Sequence, residues 1–237
     1  EGDKSPAIDH AEALPGENYR GLGDLGLLGG GLPEAYGGSA GGFRESSIAT
    51  EEIARACAAT SVIYGAHLSL ASQTIARFGT EEQKQRYLPP LTRADKVASF
   101  CLTEPEAGSD VGSMSTTATT DGDDYIFNGC KTFITNADVA STYVVFATRD
   151  KPLRAKGIGC YIVEGNVPGL TVNRQNGKLG MRASSTAEMI FQNCAVPSVN
   201  RVGDDGAGFY IAMQILESSR ITIAAQCVGI GLSLIHK

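Results

Sequence analysis

Phe100-Cys101-Leu102-Thr103-Glu104-Pro105-Glu106-Ala107-Gly108-Ser109-Asp110 opens as a β-strand and closes as a loop. Through Leu102 the stretch is apolar and β-prone, and from Pro105 onward it carries turn formers. Ala107, Gly108 and Ser109 have little side-chain bulk, so their backbone N–H groups make a surface suited to a pyrophosphate or similar anion. The same residues would serve a simple turn equally well, and by themselves they leave both readings open.

Around this stretch the hydrophobic period changes from 3.6 to 2. Downstream, alternation predicts strands over 97–102, 115–120, 125–127, 132–135, 143–148, 158–163, 170–174 and 187–191. Asp121-Gly122-Asp123 and Asn128-Gly129 predict two hairpin turns, because both supply residues tolerant of positive φ. Asp121, Asp123 and Asp124 have the residue types of a calcium loop but lack its remaining spacing and closing glutamate, so the turn reading stands and no metal is expected. From Phe209 the helical period returns, with Met213, Leu216, Ala224, Val228 and Ile235 on one stripe. The pattern is still running at Lys237, which is the expectation of an unfinished helix.

Upstream, residues 1–20 are polar without a period and read as a loose lead-in. Residues 21–29 read as a helix end running into a glycine-rich turn. Helices are predicted over 43–59 and 61–78, the second nearly apolar all round and capped by Gly79. His67, inside it, has no acidic or cysteine neighbour at ligand spacing and reads as a core histidine. Thr80-Glu81-Glu82-Gln83 is a capping box opening a helix that should stop at Pro89-Pro90, with Lys84 and Arg86 on its solvated face. The class is therefore α+β: an N-terminal α-helical domain (1–96), an antiparallel β-barrel or sandwich domain (97–203), and the first helix of a C-terminal helical bundle (204–237).

Composition narrows the function. The net charge is −6 without a dense basic run, which argues against nucleic acid as a partner. Apolar runs are interrupted well before the roughly 18 residues a membrane span needs, so no membrane insertion is expected. Six scattered cysteines without a CxxC pair suit reduced thiols in a bacterial cytoplasm or a mitochondrial matrix. With 29 glycines among 237 residues, against an average near 7%, many tight turns or a backbone held close to a ligand are implied.

The stretch 100–110 resembles the signature of the acyl-CoA dehydrogenase family, which runs from an aromatic or small residue through Leu/Val-Thr-Glu-Pro to Gly-Ser-Asp. Lys131-Thr132-Phe133-Ile134-Thr135-Asn136 is similar to the family's second flavin strand. Gly26-Leu27-Leu28, Pro33-Glu34 with Tyr36-Gly37-Gly38, Glu51-Glu52-Ile53-Ala54, Gly79 to Lys84 and Tyr87-Leu88-Pro89 follow in family order, so the likeness covers about 21–237. It implies an FAD flavoprotein acting on an acyl-CoA, in a homo- or hetero-oligomer (dimer or tetramer), with an electron-transfer flavoprotein as a possible acceptor. Phe100, Leu102 and Thr103 would meet the flavin pyrimidine edge, and Gly108 and Ser109 the pyrophosphate. Phe133, with Ile134, would lie on the ring, and Thr135 beside N5. Ser109, Glu217 and Arg220 would hold substrate, although Glu217 and Arg220 at i,i+3 also make an ordinary helix-surface pair.

The resemblance also implies a carboxylate that removes the substrate α-proton. Its commoner place lies beyond Lys237, and its rarer one falls on Ser219. Glu104 and Glu106 belong to the flavin loop and should point away from the substrate. No catalytic base is therefore expected within this sequence, which reads as a fragment or one piece of a split enzyme. A flavin oxidase or monooxygenase of the same fold and a non-catalytic partner subunit are the alternatives.

Overall fold

The computed structural model describes residues 4–235; His236 and Lys237, where the expected last helix ends, lie outside them. Two helices occupy the supposed lead-in, α1 (Ser5–Ala11) and α2 (Gly16–Asp24). Each is too short to show a period. α2 is held by burying Asn18, Tyr19 and Leu22, and tertiary contact supplies what the pattern lacks. α3 (Phe43–Ala56) starts where Glu45 Oε2 accepts the Gly42 N–H at 2.7 Å. It stops earlier than expected, at an extended Cys57 (φ −155, ψ 106).

The chain restarts as α4 (Ala58–Gly65) and passes without a break through a π-helical segment, Ala66–Ser72, into α5 (Gln73–Phe78). Gly79 caps α5 as expected, in extended backbone (φ −70, ψ 157). The Thr80 capping box does open α6 (Glu81–Thr92), with Thr80 Oγ1 accepting from Gln83 N–H at 3.3 Å. α6 runs through Pro89 and Pro90 rather than stopping there. The carbonyls that lose their N–H partners belong to exposed Gln85 and Arg86, which water can satisfy, while Tyr87, Leu88 and Leu91 stay buried in the core.

The middle of the chain is an antiparallel-rich sheet of eight strands: β1 (Ala98–Cys101), β2 (Thr117–Asp121), β3 (Asp124–Thr135), β4 (Thr142–Thr148), β5 (Ile158–Glu164), β6 (Leu170–Arg174), β7 (Thr186–Pro197) and β8 (Arg201–Val202). The order is β6-β7-β3-β2-β4-β5-β8, with β1 paired in parallel to β4. Alternate residues point to opposite faces. Phe100, Val144, Phe146, Cys160 and Ile162 face the helices, and Cys101, Tyr143, Val145, Tyr161 and Val163 face a second core inside the folded sheet. β4 is covered on both faces and buried along its whole length.

The hairpin at Gly122-Asp123 is present, with Gly122 at φ +58 and Asp121 paired to Asp124. The second predicted hairpin is absent. At Asn128-Gly129 one continuous β3 takes a bulge, with a register shift against β7 between Phe127 and Gly129. Gly129 lies at φ +146, and a Cβ there would come within 2.6 Å of Thr116 Cα. The residue that suits a turn also suits close approach of a neighbouring backbone.

α7 (Gly208–Ile235) turns a different face inward from the one its apolar residues mark. Ile211, Ala212, Ile215, Ser219, Thr222, Gln226 and Gly229 are buried; Met213 and Leu216 are half-buried; and Ala224, Val228 and Ile235 are exposed. α7 lies against α3, with the Gly229 Cβ position 2.2 Å from Glu51 O, so only glycine permits the approach. The buried polar side chains are satisfied, Thr222 Oγ1 donating to Ser219 O in its own helix at 2.7 Å and Gln226 Nε2 to Ser61 Oγ on α4 at 2.6 Å. By length and composition α7 is also apolar enough to cross a membrane, which a count of uninterrupted apolar runs does not detect. Here its buried stripe packs on α3 and α4.

Candidate functional site

The exit of β1 and the end of β3 lie side by side. Ser99 Oγ donates to Thr135 O at 2.5 Å, Thr132 N–H donates to Thr103 O at 2.9 Å, and Lys131 Nζ donates to Leu102 O at 3.0 Å. Phe100 and Leu102 bury their side chains, Phe100 against Phe146 with ring centroids 4.9 Å apart, so any contact they make at this edge is through backbone. Thr103 is half-buried, and among the described residues neither its N–H nor its hydroxyl has a hydrogen-bond partner.

Beyond Thr103 the chain folds back through a tight turn in which Glu104 N–H donates to Ala107 O at 3.1 Å and Ala107 N–H to Glu104 O at 3.2 Å. The Ala107 amide is thus consumed and cannot join an anion surface. Gly108 and Ser109 are exposed, nothing lies within 4 Å of a Cβ position on Gly108, and the Ser109 hydroxyl has no partner among the described residues.

Glu104 and Lys131 form a pair that the residue-by-residue reading missed. Both side chains are almost wholly buried, with Lys131 Nζ 2.8 Å from Glu104 Oε1. Glu104 also accepts from Ser115 N–H at 2.5 Å, Ser115 Oγ at 2.9 Å and Thr116 N–H at 3.0 Å. Burial alone would raise its carboxyl, but the Lys131 charge and these donors outweigh burial and hold it below the usual carboxylate range. No local feature marks the pair: Lys131 stands two residues after Gly129 in β3, and its place in the strand does not say which way its side chain points.

At the end of β3 the register against β7 shifts between Lys131 and Ile134. Phe133, inside that shift, is left-handed (φ 56) and 67% exposed, an unusual state for an aromatic residue and a local cost of about 1–3 kcal/mol. Ile134 is buried and Thr135 half-buried, its hydroxyl without a partner among the described residues. Asn136, also left-handed (φ 67), ties this end to α4 through Nδ2 to Ile63 O at 3.1 Å.

Thr135 opens on a cavity of about 120 Å³ shared with Thr50, Ser61, Ala66, Ser219 and Gln226. A larger one of about 550 Å³ runs between the glycine-rich loop, α5 and α7, and Glu217 and Arg77 are its charged residues. Ser69, Ser219 and Thr222 line both. The π-helical segment carries Ser69 to this junction, a placement that sequence periodicity does not show. Ser109 and Arg220 line neither cavity, and Glu217 and Arg220 form no ion pair among the described residues. His67 lies in the core, its Nδ1 accepting the Ala98 N–H at 3.1 Å. Among the described residues no group of three or more His, Cys, Asp or Glu side chains is arranged to hold a metal ion.

Two family models match this chain: acyl-CoA dehydrogenase, N-terminal domain, over residues 3–95, and acyl-CoA dehydrogenase, middle domain, over residues 99–194. The chain belongs to the acyl-CoA dehydrogenase family. It is 45% identical over 224 residues to the short-chain specific acyl-CoA dehydrogenase of Clostridium acetobutylicum, which covers 94% of this chain and 59% of that one. Butyryl-CoA dehydrogenase from Megasphaera elsdenii superposes with a TM-score of 0.92 at 38% identity, over 98% of this chain and 63% of that structure. PigA, solved with FAD and proline, superposes with a TM-score of 0.94 at 27% identity, over 99% of this chain and 62% of that structure. This acyl-CoA dehydrogenase chain therefore spans about three fifths of the relatives it matches.

Proposed function

We propose that this chain provides the flavin-facing side of an FAD-dependent enzyme that desaturates an acyl-CoA thioester at its α,β bond, with 1–96, 97–203 and 204–237 as its structural parts. The observation that carries the reading is a run of unsatisfied donors on one edge: the Thr103 amide and the hydroxyls of Thr103, Ser109 and Thr135, beside an exposed Phe133 held in strained backbone. Such groups fit a planar heteroaromatic ring with a pyrophosphate tail.

When bound, FAD supplies the acceptor for the substrate's β-hydride. Thr103 donates to the pyrimidine edge through its amide and hydroxyl, with the backbone of Phe100 and Leu102 alongside. Thr135 stands on the N5 side and Phe133, backed by Ile134, covers the dimethylbenzene side. Gly108 and Ser109 offer N–H and hydroxyl donors to the pyrophosphate, and Ser109 also to substrate. The cavity between Thr135 and α7 takes the acyl group, with Glu217, which lines the larger adjoining cavity, on the thioester side; Arg220, exposed and outside both cavities, is given no role in this arrangement. Glu217 is the only carboxylate among the described residues lining the two cavities, and Ser219 is a hydroxyl bonded back to Leu216 O at 3.0 Å. Neither is assigned as the base, so the group that removes the α-proton is placed outside these residues.

The test is to titrate the chain with FAD, remove oxygen and add acyl-CoAs of short, branched and aromatic type. A bound-flavin spectrum that one of them perturbs or bleaches supports the reading. No bound-flavin spectrum at all contradicts it, and rapid reoxidation in air after bleaching would move the assignment to an oxidase.

A further inference from the structure

We propose that Lys131 is a positioning residue for the flavin: by donating to the Leu102 carbonyl it polarises the Leu102–Thr103 peptide and raises the reduction potential of the ring that Thr103 faces. This rests on the flavin reading above and adds Lys131 and Glu104, to which that reading gives no role.

The Leu102 carbonyl and the Thr103 N–H are the two ends of one planar, resonance-coupled peptide unit. Lys131 Nζ donates to that carbonyl at 3.0 Å, inside a region where Lys131 is fully buried. A cation on the oxygen draws density from the nitrogen, which makes the N–H at the other end a stronger donor, and low local polarity strengthens the effect. The Thr103 N–H is the group left without a protein partner among the described residues.

Burial pulls Lys131 below its ordinary range while Glu104, 2.8 Å away, opposes that pull and favours the ammonium, and three donors from Ser115 and Thr116 disperse the carboxylate's own charge. Stability gives little reason for the arrangement, because a buried ion pair rarely outperforms apolar side chains of the same volume. Fixed donors aimed at the place where charge develops are, by contrast, an effective way to stabilise it. A strengthened donor at the pyrimidine edge favours the more negative, reduced ring over the oxidised one.

The decisive variants are Lys131→Met and the double change Lys131→Met with Glu104→Gln, which leaves no charge unpaired. Each is saturated with FAD, and its two-electron potential is measured by anaerobic dye equilibration beside the wild-type chain. The expected result is a preference for reduced over oxidised FAD lowered by about tenfold, equivalent to a potential about 30 mV more negative. Affinity for oxidised FAD should change much less. A folded variant that binds FAD at the wild-type potential overturns the proposal and leaves the flavin reading intact. Failure of both variants to fold assigns the pair to stability alone and overturns it as well. Absence of FAD binding by the wild-type chain sinks the flavin reading itself.

Discussion

Lys131 and Glu104 have been taken out of water together, so removing one is a different experiment from removing both. Lys131→Met leaves a buried carboxylate and Glu104→Gln leaves a buried ammonium, and each is expected to cost about 3–5 kcal/mol in urea unfolding. The double variant should cost clearly less than the sum, a coupling that a double-mutant cycle reads directly. His67 makes the second prediction at this scale. Burial pulls its imidazole down to about 4. Its neutral form accepts the Ala98 amide, and its Nε2 has no partner among the described residues. Above the ordinary value near 6.5 both states are neutral and the full stability is present. As pH falls from there toward 4 the unfolded chain takes up the proton first, and roughly 3 kcal/mol should drain away. A plot of unfolding free energy against pH should show that loss, and His67→Gln should flatten it. Thr103, Phe133 and Thr135 could be put forward as candidate site residues only through their motif. The buried pair was not legible at all, because nothing local says that a lysine in a strand will point into a core.

Between elements, the tightest constraint is the contact of α7 with α3. Gly229→Val should overpack it by about 1–3 kcal/mol, seen as a lower melting temperature, because Glu51 O and Ala54 Cβ leave no room for a side chain. Most helices and strands could be placed from pattern alone, since α3 buries one face, β6 alternates, and β4 and β5 are short apolar runs buried on both faces. Three failures each have a physical cause. Asn128-Gly129 was mistaken for a turn because a glycine at positive φ serves a bulge equally well. Pro89 and Pro90 did not end α6, because the carbonyls they orphan face solvent. From Ser219 onward α7's inward stripe is carried by Ser219, Thr222 and Gln226, paired to Ser61 and to the helix's own backbone, so the apolar residues there marked the wrong face.

Across the whole molecule, one sheet separates two apolar cores and leaves the β1 exit and the β3 end together at its edge, beside the cavity under α7. The helical and sheet regions were readable in advance, while the junction of two cavities at Ser69, Ser219 and Thr222 depends on a π-helical segment that has no sequence period. The central claim is that this edge binds flavin through Thr103 and Thr135. It is tested most directly by fluorescence titration of FAD with the wild-type chain and with the double variant Thr103→Val, Thr135→Val. Saturable binding by the wild type, weakened about tenfold or more by removal of two hydroxyl donors, is the predicted result. Wild-type binding that the double variant matches, or no saturable binding by the wild type, would contradict the account.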